Sequence, residues 1–186
     1  MEPLWTPSPE RVENSNIMRF IGYVNESYAL GITNFHELYQ WSIDNREDFW
    51  KSVWEFGGVI FSKNYDRILE DKPEMLGANW FVGAELNFAE NLLRYRDNKT
   101  AIVFKGEGLD SRRITYAELY DQVARLADSL KRVGVKVGDR VAGYVPNITE
   151  TIIAMLATTS LGAIWSSCSP DFGVKGVMDR FGQMEP

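Results

Sequence analysis

Apolar residues recur every three to four positions through much of the first hundred residues. Ile17, Phe20, Ile21, Val24 and Tyr28 share one helical face, and Gly31 follows as a stop. Asn34 with Glu37 forms a capping pair ahead of Phe35, Leu38 and Tyr39. Asp44 with Glu47 forms another ahead of Phe49, Trp50, Val53 and Trp54, and Gly57-Gly58 ends that helix. Val59-Ile60-Phe61 reads as a short strand or an extended linker, and Glu70-Asp71-Lys72-Pro73 as a solvated loop. Trp80-Phe81 and Leu86-Asn87-Phe88 read as irregular packing before a helical turn at 89–93.

The pattern changes after residue 98. Ala101-Ile102-Val103-Phe104 is strand-like, 105–111 is a glycine-containing turn, and Arg112–Thr115 returns, which predicts a hairpin. Thr115 and Glu118 form a capping box for a helix over Tyr116–Arg132. Leu119, Val123, Leu126 and Leu130 lie on its apolar face, and Gly134 terminates it. Positions 140–145 form a mostly apolar strand stopped by Pro146. Asn147 and Glu150 cap the next helix, which runs to about Leu161 with Gly162 as stop. Ala163-Ile164-Trp165 opens a further strand, 166–173 is a loop, and 174–183 begins a helix. Strand, helix, strand, helix in short succession predicts an α/β fold with a parallel sheet of about four strands and helix crossovers. An aromatic-rich, mainly helical segment precedes it.

Composition sharpens the division. Of the 24 aromatic residues, 17 lie in the first 100 positions, so the domain boundary is drawn there: 1–98 as a helical segment, 99–186 as an αβ segment. A net charge of −6 argues against a protein that coats nucleic-acid phosphates. The single cysteine, Cys168, excludes an intrachain disulfide and fits a reducing, cytoplasmic setting. Met1-Glu2-Pro3-Leu4-Trp5 has neither the basic start nor the apolar core of a signal peptide. The uncharged run 151–170 could span a bilayer by length. Its seven hydroxyl residues, Gly162 and Pro170 make it a buried helix, turn and strand instead.

Candidate chemistry is sparse. His36 is the only histidine, and with Cys168 it supplies too few ligands for a His/Cys zinc site. No Gly-x-Ser-x-Gly elbow exists to pair with it. No Walker-type or dinucleotide glycine fingerprint is present, since Gly106-Glu107-Gly108 sits in a hairpin turn. The stripe Phe49, Trp50, Val53 and Trp54 reads as core, with a carbohydrate-stacking face as the alternative. Ser166-Ser167-Cys168-Ser169-Pro170-Asp171-Phe172-Gly173 follows a parallel strand and opens a helix, the place where open α/β sheets bind ligands. Asp171 would repel a phosphate there. The residues alone leave two readings open: a wall for a nucleotide base or pantetheine arm, and a plain helix-capping loop.

Several strings carry a family resemblance. Trp80-Phe81-Val82-Gly83-Ala84-Glu85-Leu86-Asn87-Phe88-Ala89-Glu90-Asn91-Leu92-Leu93 resembles the N-terminal signature of short-chain acyl-CoA synthetases. Ile114-Thr115-Tyr116-Ala117-Glu118-Leu119 and Gly138-Asp139-Arg140-Val141 resemble motifs of the wider adenylate-forming superfamily. The run from Gly162 to Gly173 is similar to the acetoacetyl-CoA synthetase branch. The resemblance implies the first αβ part of an AMP-binding domain, joined to an acyl-CoA synthetase N-terminal segment. It implies a ligase that uses ATP, Mg2+ and coenzyme A to convert acetoacetate, through an acyl-adenylate, to acetoacetyl-CoA. Ser169, Pro170 and Asp171 match the place where relatives approach the adenine end of coenzyme A.

Enzymes of that family are several times longer, and their phosphate loop, adenine motif and adenylation lysine have no counterpart in these 186 residues. The expectation is therefore a truncated chain that is inactive alone, binds none of these cofactors tightly, has no nucleic-acid or membrane partner, and self-associates. The competing readings are a non-catalytic remnant that folds and self-associates, and an aromatic-rich ligand-binding module.

Overall fold

The computed structural model describes residues 4–70 and 77–186. Met1-Glu2-Pro3 of the chain start and Asp71-Lys72-Pro73 of the expected solvated loop lie outside the described residues. The chain forms two compact units, Met1–Glu85 and Leu86–Pro186.

The first unit is built on helices. α1 (Pro9–Glu13) and α2 (Asn16–Tyr28) start at serines, Ser8 and Ser15, whose hydroxyls accept from backbone N–H groups one turn on. α2 buries Phe20, Ile21 and Val24. It stops earlier than Gly31, because Ala29 already adopts the left-handed conformation at φ 53°. α3 (Phe35–Asp44) is capped as its sequence predicts, with Asn34 Oδ1 accepting from Glu37 N at 3.1 Å. The second expected cap is corrected. Asp44 is the last residue of α3, and Asn45 is both the end of α3 and the start of α4 (Arg46–Phe56), with no side-chain cap. The side chain of Asn45 is turned back to the Trp41 carbonyl, so it serves the helix it ends.

Phe20, Ile21, Val24 and Leu38 form the core of this unit, with Phe49 and Val53 packed against them. Trp54 is buried and stacks near Phe61, Tyr65 and Phe81, the last at 4.6 Å between ring centres. The aromatic stripe of α4 is thus mainly core. Two short strands, β1 (Arg67–Glu70) and β2 (Asn79–Val82), pair antiparallel where the sequence suggested irregular structure. Val59-Ile60-Phe61 lies outside any strand.

In the second unit α5 (Phe88–Leu92) is followed by β3 (Thr100–Phe104) and β4 (Arg112–Thr115), an antiparallel hairpin. α6 (Tyr116–Arg132) starts from the complete Thr115/Glu118 capping box. Then come β5 (Arg140–Tyr144), α7 (Thr149–Ser160), β6 (Ile164–Cys168) and α8 (Val174–Met184). β5 and β6 pair in parallel, Val141 with Trp165 and Tyr144 with Cys168, with α7 as the crossover. The parallel sheet is this pair. β4–α6–β5 has the same element order, but β4 pairs with β3, so the expected four strands divide into two sheets of two.

α7 begins at Thr149, and neither Asn147 nor Glu150 caps it. Glu150 instead accepts from Arg112 at 2.7 Å and from Thr149 Oγ1 at 2.8 Å. The core joins Ala89 and Leu93 to Ile114, Leu119, Val123, Ile153, Leu156 and Ala157. Residues 86–98, aromatic in style like the first half, therefore pack with the αβ segment through Ala89 and Leu93. Burying a Leu or Val of this kind stabilises by about 1.5–3 kcal/mol each. The run 151–170 is resolved into α7, a turn at Leu161 and Gly162, and β6. Among the described residues no helix is long and apolar enough to cross a membrane.

Candidate functional site

β5 and β6 end side by side, and the chain leaves β6 through residues 169–173 into α8. The loop is shorter than the sequence suggests because Ser166, Ser167 and Cys168 pair with Ala142, Gly143 and Tyr144 as strand. Cys168 is buried at the strand end. Gly143 on β5 makes room for a large neighbour. A Cβ there would stand 2.5 Å from Cη2 of Trp165, so a larger residue would have to push the indole aside.

The loop is closed on itself. Ser169 Oγ donates to Asp171 Oδ2 at 2.6 Å, and the Asp171 N–H returns to Ser169 Oγ at 3.3 Å. The Phe172 N–H donates to the Ser169 carbonyl at 3.2 Å. From the sheet, the Tyr144 hydroxyl meets two loop carbonyls, Pro170 at 2.8 Å and Phe172 at 2.9 Å. From α8, the Arg180 guanidinium lies 3.8 Å over the Phe172 ring while donating to the Gly176 carbonyl at 2.9 Å. Ser169, Pro170 and Asp171 thus stand together in one fixed turn at the carboxyl ends of two parallel strands.

The chemistry of this turn is specific. The Ser169 hydroxyl is engaged with Asp171, and the Pro170 and Phe172 carbonyls are engaged with Tyr144. What remains exposed is the proline ring, the Asp171 carboxylate and part of the Phe172 ring. Those surfaces suit a flat base or an apolar arm, and the carboxylate opposes a phosphate. Gly173 is the N-cap of α8, which therefore has no side-chain cap.

His36 is exposed on the first turn of α3, its ring 5.8 Å from that of Phe35. It belongs to the first compact unit and Cys168 to the second. No group of three or more His, Cys, Asp and Glu residues able to hold a metal occurs among the described residues. Trp50 and Trp54 form no paired platform: Trp54 is buried, while Trp50 is exposed and tilted 59° against Trp80. A cavity of about 390 Å³ between α2, α3 and α4 is lined by Phe20, Leu38, Phe49 and Val53 among others, and its serine, Ser42, donates to the Tyr39 carbonyl. It holds no acid or amine for catalysis.

Sequence reasoning found the turn and missed what holds it. Tyr144 and Arg180 carried no motif. The available signal was an aromatic with a polar tip closing a strand just before Pro146.

The family model of the AMP-binding enzymes matches residues 88–186, and that of the acetyl-coenzyme A synthetase N-terminus matches 35–92. Acetoacetyl-CoA synthetase of Xenopus tropicalis is 43% identical over 98% of this chain and 27% of its own length. Acetoacetyl-coenzyme A synthetase of Rhizobium meliloti (strain 1021) is 47% identical over 99% of this chain and 28% of its own. The solved structure of acetoacetyl-CoA synthetase from Streptomyces lividans superposes with a TM-score of 0.91 at 43% identity, covering 100% of this chain and 29% of that one. The chain spans little more than a quarter of the length of these relatives.

Proposed function

The chain belongs to the AMP-binding enzyme family, and we propose that it serves as the N-terminal part of an acetoacetate–CoA ligase acting in the cytoplasm. Acetoacetate, ATP and coenzyme A are the substrates of the whole enzyme in this reading. The observation that carries it is the likeness to acetoacetyl-CoA synthetases along nearly the entire chain. Residues 1–98 act as the acyl-CoA synthetase N-terminal segment, and 99–186 as an incomplete αβ subdomain of the AMP-binding domain.

Ser169, Pro170 and Asp171 form a wall for coenzyme A. The exposed Pro170 ring supports a flat or apolar surface. The Asp171 carboxylate accepts from an amine such as that of adenine, and its charge turns the phosphates away from the loop. Coenzyme A supplies the thiol that takes the acyl group. Mg2+ finds no cluster of ligands among the described residues of this chain. The electrostatic groups that drive acyl activation in the family, a phosphate loop and a lysine, come from the remaining three quarters of the ligase.

The test is a fusion. This chain replaces the matching segment of the Rhizobium meliloti acetoacetyl-coenzyme A synthetase, and acetoacetate-dependent pyrophosphate release is measured. The fusion is expected to turn over acetoacetate, and the 186-residue chain alone is not. A folded fusion without acetoacetate-dependent release, beside an active parent enzyme, would defeat the proposal.

A further inference from the structure

We infer that Tyr144 is a positioning residue for the coenzyme A wall: its hydroxyl holds the Ser169-Pro170-Asp171 turn in one orientation against the sheet. The inference rests on the reading of that turn as part of the coenzyme A site.

Tyr144 is the last residue of β5, and its hydroxyl reaches Pro170 O at 2.8 Å and Phe172 O at 2.9 Å. Those carbonyls stand on the two sides of Asp171. One proton shared between them holds the Pro170–Asp171 peptide plane and, one residue further on, the Phe172–Gly173 plane, and so brackets the backbone that carries the Asp171 side chain. The bonds inside the turn, Ser169 to Asp171 and Phe172 N to Ser169 O, fix its shape but not its attitude to the sheet. Arg180 over Phe172 holds the far side to α8. The Val145 N–H, donating to the Cys168 carbonyl at 3.2 Å, holds the peptide that enters the turn, and the Tyr144 hydroxyl holds the carbonyls on either side of Asp171. Its own strand neighbour, Cys168, fixes its backbone through the parallel register, so the hydroxyl is delivered from a rigid element. An exposed turn left free would have to be ordered each time a ligand met it, and preordering it removes that cost. Tyr144 acts through the turn and does not itself touch the ligand.

Tyr144→Phe removes one oxygen and keeps the ring. In the 186-residue chain, hydrogen exchange at the Asp171 and Phe172 amides is expected to quicken roughly tenfold, with the β6 amides unchanged. In the fusion ligase, KM for coenzyme A is expected to rise roughly fivefold to tenfold, while kcat at saturating coenzyme A falls much less. Unchanged exchange at both amides would overturn the inference. So would an unchanged KM in Tyr144→Phe where Asp171→Ala raises it, or a fall in kcat as large as the rise in KM, which marks a merely structural role. If the fusion is active and neither Asp171→Ala nor Tyr144→Phe moves KM for coenzyme A, the site reading itself falls and the inference with it.

Discussion

The side-chain amide of Asn87 donates to the Thr159 carbonyl at 3.0 Å, seventy-two residues further along the chain, and to that of Ser160 at 3.4 Å. The same side chain caps α5, its Oδ1 accepting from Glu90 N at 3.1 Å. One residue therefore starts one helix and adds a donor at the end of another, where the Thr159 carbonyl also accepts from the Gly162 N–H at 3.0 Å. Asn87→Ala is expected to lower stability by about 1–2 kcal/mol in urea unfolding. Asn87→Asp keeps the cap and loses the donor, so its loss should be smaller.

Thr158 on α7 is fully buried, and its Oγ1 has no hydrogen-bond partner. A buried hydroxyl left unpaired costs about 1–3 kcal/mol. Thr158→Val keeps the shape and removes the hydroxyl. Its thermal midpoint should rise by several degrees, read by circular dichroism, and a fall would show that the hydroxyl is satisfied in solution.

The Glu118 carboxylate is held below its ordinary range by hydrogen bonds from the Thr115 N–H, at 2.8 Å, and the Thr115 hydroxyl, at 2.9 Å. Its folded pKa lies below its unfolded one, so the unfolded chain binds more protons. The capping contribution is present above the unfolded value and is lost as pH falls through the folded one. Stability measured from pH 7 to pH 3 should therefore decline less steeply in Glu118→Gln. Thr115→Ala, which removes the cap itself, should cost about 1 kcal/mol at pH 7.

Gly143 owes its place to space, not to backbone freedom. The Cβ of an alanine would press Cη2 and Cζ2 of Trp165 at 2.5 and 2.9 Å. Gly143→Ala should destabilise by roughly 1–3 kcal/mol. Pairing it with Trp165→Leu should recover part of that loss relative to Trp165→Leu alone, as a double-mutant cycle would show.

The β5–β6 pair has no further strand beside either edge among the described residues. Ile164, Val174 and Met178 nearby are exposed apolar side chains. We expect two copies of the chain to associate through this edge and α8, because unpaired strand edges and apolar patches favour pairing. Light scattering should give a mass above 21.3 kDa that falls with Met178→Lys. A monomer at high concentration would refute this.

Local rules were enough for much of the molecule. The Thr115/Glu118 box, the Asn34 cap, the hairpin at β3 and β4, and the β5–α7–β6 order follow from turn chemistry and apolar spacing, which act over a few residues. The same strings placed Ser169, Pro170 and Asp171 at a strand end. Tertiary structure alone decided the rest. The expected pairing of Asn147 with Glu150 fails because α7 starts one residue later, with Ile148 as N-cap, and the Glu150 carboxylate instead meets Arg112, 38 residues away in sequence, at 2.7 Å. β1 and β2 are four residues each, too short for a period to register, and exist through their pairing with each other. Whether the β3–β4 hairpin continues the parallel sheet is a choice between edges that element order does not encode, and the structure keeps it as a separate two-stranded sheet. Tyr144 meets Pro170 and Phe172 only because the parallel register brings the ends of β5 and β6 together. Periodicity reports which face of an element is buried. It carries no record of which distant polar group waits at the element's end.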